Sequence, residues 1–257
     1  MKQITDINEI HSILLNIAKE FHRICVKHSI PYYMLGGTML GAIRHNGFIP
    51  WDDDMDFGVP RKYIKHLVRI LRKELPDYMS VITPLDDYGV VNEIIKVTDN
   101  RTEIDEYNKD HISNKMGVFI DVFPLDESNN DWSNWSRNNL ILLALACSNF
   151  RYYPSASIRS RLVGFIVRVI PKSIYFKILS CFLPHGGGYI SNYSGAYTYK
   201  ETIPKAYFGK SQLYTFEDTQ FHGVESPSDY LRCLYGDYMQ LPPEDKRHYH
   251  LKGIFWK

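Results

Sequence analysis

A short apolar run, Tyr32 to Leu35, breaks at Gly36-Gly37, and the acidic segment Trp51-Asp52-Asp53-Asp54-Met55-Asp56-Phe57 follows before Gly58-Val59-Pro60. The order is strand, glycine turn, helix, then a second strand behind an acidic run. The first run reads as a strand, the glycines as a sharp turn, and Thr38 as the cap of a short helix that finishes near Asn46-Gly47. Met55 to Val59 reads as a second strand, and Pro60 opens a helix whose buried stripe is Ile64, Leu67, Val68, Leu71 and Leu75. Alternate side chains of a strand share a face, so Asp54 and Asp56 point together while Met55 and Phe57 face the core. Two carboxylates on one face repel unless a divalent cation lies between them, and hard oxygen ligands suit Mg²⁺ or Mn²⁺ together with substrate phosphates. The Gly36-Gly37-Thr38 turn adds backbone N–H donors and the positive end of a helix, where a phosphate approaches without meeting a Cβ. Taken singly, a Gly-Gly turn is most often a tight connection, and an Asp cluster is usually a solvated loop or a helix cap. Together they read as a metal-phosphate site. A calcium loop of the EF-hand type is excluded, because Phe57 stands where it needs glycine and Tyr63 where it needs glutamate.

Such a site wants a third acid, to help hold metal or to take a proton from an attacking hydroxyl. Asp121 is the candidate, since it interrupts the apolar run Val118 to Phe123, where an ionised carboxylate is costly without compensation. A strand-end Asp that accepts backbone hydrogen bonds is the plain alternative. Arg44, His45, Arg61 and Lys96 are candidate phosphate or nucleotide contacts, although a surface or helix-end role accounts for each as well. Asp126, beyond Pro124, reads as a turn or cap residue.

Residues 6 to 28 form an amphipathic helix by their spacing, with Asp6 and Glu9 resembling a capping box. Met79 to Thr83, Asn92 to Val97 and Val118 to Phe123 read as strands, the last stopped by Pro124. From Trp132 to Leu183 a Leu/Ile-rich, arginine-punctuated stretch reads as packed helices, and His185 to Tyr199 as a Gly/Ser/Tyr loop. The fold class expected is α+β: a mixed sheet flanked by helices, with a mainly helical second half. A catalytic core over 1–130 and a helical and loop region over 131–257 follow.

Thirty Lys and Arg against 29 Asp and Glu leave a net charge of +1 in 257 residues, so no one-signed field attracts nucleic acid. The longest apolar run, Leu140 to Cys147, is too short to span a bilayer. The first residues lack an export pattern, so a cytoplasmic site is expected. The basic, apolar stretch 137–183 suits peripheral contact with an anionic membrane, or equally packed helices with solvated basic faces. Four scattered cysteines suit reduced thiols.

Three blocks then carry a resemblance. Leu35-Gly36-Gly37-Thr38-Met39-Leu40-Gly41-Ala42-Ile43-Arg44-His45 with Gly47 to Asp56, Phe119 to Asp126, and Tyr230-Leu231 with Tyr235 to Pro243 are similar to the signature of LicD-family phosphotransferases. The resemblance implies a nucleotidyltransferase-type core and transfer of an alcohol phosphate from a CDP-alcohol, typically phosphocholine from CDP-choline. The implied acceptor is a sugar hydroxyl of a glycan or its lipid-linked saccharide precursor, and the implied product is CMP. It implies Asp54 and Asp56 as the metal pair, Asp121 as the third acid, and Gly36, Gly37 and Thr38 as the phosphate cradle. The zinc-binding insertion of the related fukutin-like proteins has no Cys-x-x-Cys counterpart here. The alternative activity is transfer of a nucleotide from an NTP to a small-molecule hydroxyl. Tyrosines 189, 193, 197 and 199 are compatible with a cage for choline, and equally with core or glycan-stacking surface.

Overall fold

The computed structural model describes residues 1–86, 93–106, 115–130, 186–243 and 251–257, with positions 171, 173, 174, 177, 178, 181, 245 and 247. The stretch expected to be packed helices lies almost wholly outside the described residues, and so does Cys147.

Helix α1 (Ile7–Lys27) begins where Asp6 accepts the Asn8 N–H at 2.9 Å, and it buries Ile10, Ile13, Leu14, Ile17, Phe21 and Ile24. Glu9 does not close a capping box; its carboxylate accepts the Trp256 indole N–H at 2.7 Å. Strand β2 (Tyr33–Met34) leads into α2 (Gly36–His45), which ends on Asn46 in the left-handed region. Strand β3 (Asp56–Pro60) runs into α3 (Arg61–Glu74), and β4 (Met79–Ile82) and β5 (Ile95–Asp99) follow. Next come β6 (Thr102–Glu106) and the long β7 (Phe119–Ser128). The main sheet is mixed, in the order β2-β3-β7-β5-β4, with β3 and β7 parallel and the other neighbours antiparallel. Helix α1 lays its apolar stripe on β5 and β7 and against α3.

Strand β7 does not stop at Pro124. It pairs with β5 as far as Val122 and with β8 (Tyr189–Ser191) from Asp126, so the residue that lacks an N–H coincides with the change of partner. Strand β8 continues to β9 (Thr202–Pro204), which corrects the reading of 185–199 as loop throughout. After a short helix α4 (Lys205–Phe208), a hairpin forms from β10 (Gln212–Phe216) and β11 (Thr219–Gly223), followed by α5 (Pro227–Tyr235). Strand β12 (Leu251–Trp256) lies between β1 (Lys2–Ile4) and β6. The described part of the second half is therefore richer in strand than the sequence indicates.

The hairpin escapes a reading of the sequence because its turn uses Glu217 at a φ of 54°, with no glycine or asparagine there. Tertiary contacts hold that conformation: Glu217 donates its N–H to the Asn46 carbonyl at 2.8 Å and accepts the Phe48 N–H at 2.9 Å. Phe221 and Phe216 then reach the central ring cluster of Phe21, Tyr32, Phe57 and Phe48. No described helix is long and apolar enough to cross a membrane.

Gly41 is where α2 meets the following loop. A Cβ there would sit 2.4 Å from the Gly47 carbonyl oxygen, a backbone atom that cannot swing away. Gly41→Ala gains up to ~1 kcal/mol of helix propensity, and overpacking costs ~1–3 kcal/mol, so the clash wins. A lower midpoint in urea unfolding with an unchanged slope is the expected outcome.

Candidate functional site

The glycine turn and the acidic segment are stitched together by backbone bonds. Leu35 donates its N–H to the Asp56 carbonyl at 2.9 Å, and Asp56 donates its N–H to the Thr38 hydroxyl at 2.7 Å. Thr38 thus ties the start of β3 to the first turn of α2. Gly36 has a φ of +46° and donates its N–H to the buried Tyr230 hydroxyl at 3.0 Å. A side chain on Gly37 would place its Cβ 2.7 Å from Asp52 Oδ2, and one on Gly36 would be 3.5 Å from Asp56 Oδ2. The two glycines therefore bring the carboxylates of Asp52 and Asp56 up to the N-terminal end of α2, whose positive potential offsets part of their repulsion. From α1, His11 Nε2 donates to the Asp52 carbonyl at 2.7 Å, fixing the acidic segment from the other side.

Asp56 and Asp121 are register partners on the parallel strands β3 and β7, about 4.8 Å apart across the ladder and on one face. The ladder extends one step further, since Asp121 donates its N–H to the Met55 carbonyl at 2.9 Å. Lys96 is the partner of Asp121 on β5, and its Nζ donates to Asp121 Oδ1 at 2.7 Å while lying 3.4 Å from the centre of the Phe119 ring. Asp54 precedes β3 rather than lying within it. Burial, then the charges of Asp54, Asp121, Asp52 and Glu201, push the Asp56 carboxyl well above the usual carboxylate range.

Among the described residues no three His, Cys, Asp or Glu side chains converge tightly enough to enclose a metal ion by themselves. The donor set is all oxygen and crowded with like charge, which suits a hard divalent cation that takes one or two carboxylates and completes its shell with substrate phosphates. Asp54 and Asp56 fit that description, with Asp121 engaged by Lys96 beside them.

Arg44 and His45 occupy the last turn of α2. Arg44 Nη1 donates to the Tyr238 carbonyl at 2.8 Å, and burial, then Arg44, hold the His45 imidazole below its usual range. Arg61 lies apart. It begins α3, roughly 16 Å along β3 from Asp56, and its guanidinium forks onto Asp126 at 2.5 and 2.8 Å and onto Glu93 at 2.7 Å. Asp126 is accordingly a buried ion-pair partner within β7, not a turn residue. The structure gathers Gly36, Gly37, Thr38, Asp54, Asp56, Asp121 and Lys96 at one end of β3; Arg44 reaches the wall of the adjoining cavity, whereas His45, at the far end of α2 about 14 Å from Gly36, packs against Trp51 and is not brought to the cluster.

A cavity of about 490 Å³ opens next to this cluster, with Gly37, Arg44, Trp51, Asp52, Tyr197 and Tyr235 in its wall. Of the four loop tyrosines, Tyr197 lines it. Tyr193 is buried, Tyr189 belongs to β8, and Tyr199 donates to Asn130. Glu201, unmarked by any motif, accepts the Tyr197 N–H at 2.8 Å and the Asn192 amide at 2.6 Å. Burial pushes its carboxyl up to about 7, against the opposing effect of those two hydrogen bonds.

The chain matches the family model described as "LicD/FKTN/FKRP, nucleotidyltransferase domain" over residues 29–141, the span that contains the glycine turn and all the clustered acids except Glu201. It is also 30% identical over 272 residues to the lipopolysaccharide cholinephosphotransferase LicD of Haemophilus influenzae, covering 99% of each chain. The chain belongs to the LicD family. Uncharacterized proteins of Rickettsia prowazekii and Rickettsia typhi share 43% and 41% identity with it over 58 residues. Those matches cover 23% of this chain in each case, and 22% and 19% of the relatives. As a LicD-family phosphotransferase, the protein carries its longest signature block in the turn and strand just described.

Two outcomes follow from the electrostatics. Because ionised Asp56 is disfavoured in the fold, Asp56→Asn raises the thermal midpoint of the metal-free protein by a few degrees, and differential scanning fluorimetry with added Mg²⁺ shows a further rise in wild type but none in Asp56→Asn. Glu201 is raised, so its contribution to stability is complete below its ordinary range near 4.5 and is lost as pH climbs through about 7. Hydrogen exchange of 192–197 accordingly speeds up between pH 6 and 8.5 beyond the intrinsic rate increase, and Glu201→Gln flattens that excess.

Proposed function

We propose that this LicD-family protein transfers phosphocholine from CDP-choline to a sugar hydroxyl of lipopolysaccharide or its lipid-linked precursor, releasing CMP. The observation that carries the reading is the register of Asp56 with Asp121 beside the Gly36-Gly37 turn, with Lys96 paired to Asp121. The substrate is suggested by the printed activity of the Haemophilus influenzae relative.

In this reading Asp121 accepts the proton of the acceptor hydroxyl as its oxygen attacks the phosphorus that bears choline. The new bond is sugar O–P, and the bond broken joins that phosphorus to the oxygen bridging it to CMP. Lys96 orients Asp121 and lies within reach of a phosphoryl oxygen placed beside it, where its charge offsets that of the transferred group. The N–H groups of Gly37 and Thr38 in the first α2 turn, next to the Gly36 N–H that Tyr230 engages, and Arg44 hold donor oxygens. Mg²⁺ or Mn²⁺ on Asp54 and Asp56 would supply positive charge to the diphosphate. A nucleotide-activated donor places the reaction on the cytoplasmic side, where a lipid-linked acceptor meets the protein peripherally at the membrane.

Incubation of the protein with CDP-choline, Mg²⁺ and choline-free lipopolysaccharide is expected to release CMP in step with incorporated phosphocholine. Asp54→Asn, Asp56→Asn and Asp121→Asn should each reduce the rate at least 100-fold, in the range for loss of a proton acceptor or a metal ligand. Pyrophosphate release from an NTP, with no CMP from CDP-choline, would instead assign nucleotidyl transfer.

A further inference from the structure

We infer that the cavity beside the acidic cluster holds the quaternary ammonium of the donor alcohol in an aromatic corner formed by Tyr197 and Tyr235, with Asp52 and Asp237 supplying negative charge. The inference rests on the phosphocholine reading and names the side chains that would select for it.

The corner has a definite shape. The rings of Tyr197 and Tyr235 meet at 83° with centroids 5.1 Å apart. A flat pyrimidine stacks best in a slot between parallel faces. Two faces at right angles instead embrace a rounded cation, which each ring attracts through the negative potential above its plane. Trp51 and Tyr238 extend the wall, and one indole neighbour is already a cation, since the Arg247 guanidinium lies 4.4 Å from the Trp51 ring.

Charge favours the same occupant. Asp52 and Asp237 both line the cavity, and Tyr197 feels the carboxylates of Asp52, Asp56 and Asp54. Arg44, the basic residue of the wall, has its guanidinium tied to the Tyr238 carbonyl. A zwitterion whose phosphate lies toward Arg44 and Gly37 and whose ammonium lies toward the tyrosines complements this layout. Two anchors outside the cavity set the corner. Glu201 pins the Tyr197 backbone, and the hydroxyl of Tyr230, on the same helix as Tyr235, accepts the Gly36 N–H.

Isothermal titration with three probes tests this: CDP-choline, CMP, and CDP-3,3-dimethylbutanol, in which carbon replaces the charged nitrogen. Wild type is expected to bind CDP-choline about tenfold tighter than the neutral analogue, a preference of cation–π size. Tyr197→Leu and Tyr235→Leu should reduce that preference to about twofold with CMP affinity unchanged, which also shows that the variants are folded. Tyr197→Phe and Tyr235→Phe, which keep the faces, should retain it. A parallel loss of CMP affinity in the Leu variants would reassign the cavity to the cytosine base and overturn the inference. Equal binding of charged and neutral analogues by wild type would overturn it too. Charge preference that depends on both tyrosines, without CMP release from CDP-choline, would support the corner and sink the proposed reaction. Turnover that ignores both Leu substitutions would do the reverse.

Discussion

Like charge forced together at the start of β3 is the constraint from which the rest of the site follows. Asp56 is half-buried with the charges of Asp52, Asp54 and Asp121 around it, and a fold that needed only stability would not keep them there. The surrounding structure answers with positive ends and fixed dipoles. The first turn of α2 faces Asp52 and Asp56, Lys96 crosses from β5 to Asp121, and Thr38 and Leu35 lock the Asp56 backbone. Each of these groups restrains a carboxylate without neutralising the cluster, which leaves room for an electrophile bearing phosphate.

Much of this was legible in the residues because local patterns and tertiary demands agree there. The apolar stripe of α1, the Asn46 cap of α2 and the alternation around Asp56 and Asp121 are short-range signals, and each appears in the structure close to its expected bounds. What escaped the sequence depended on distant partners. Glu217 turns a hairpin in a backbone conformation that only its bonds to Asn46 and Phe48 explain. Pro124 sits inside a strand because β7 changes neighbours at that point. Arg61 looked like a phosphate ligand by type, but Asp126 and Glu93 engage its fork at the far end of β3.

The aromatic side of the site shows the same division. Tyrosines were visible as a composition bias in 189–199, yet only the fold distinguishes Tyr197 in the cavity wall from Tyr193 in the core. Tyr235 and Tyr230 arrive on α5, and no spacing rule connects that helix to a glycine turn almost two hundred residues earlier in the chain. Glu201 carries no motif, and its place is set by the backbone it holds.

The bond from the Gly36 amide to the Tyr230 hydroxyl has a consequence for how this architecture tolerates dissection. A fragment retaining the signature blocks up to residue 130 would keep every clustered aspartate and still strand a buried donor at the hinge of the turn. Modular exchange of the amino-terminal half between relatives would therefore keep this amide satisfied where the recipient's counterpart of α5 carries a hydroxyl at the Tyr230 position.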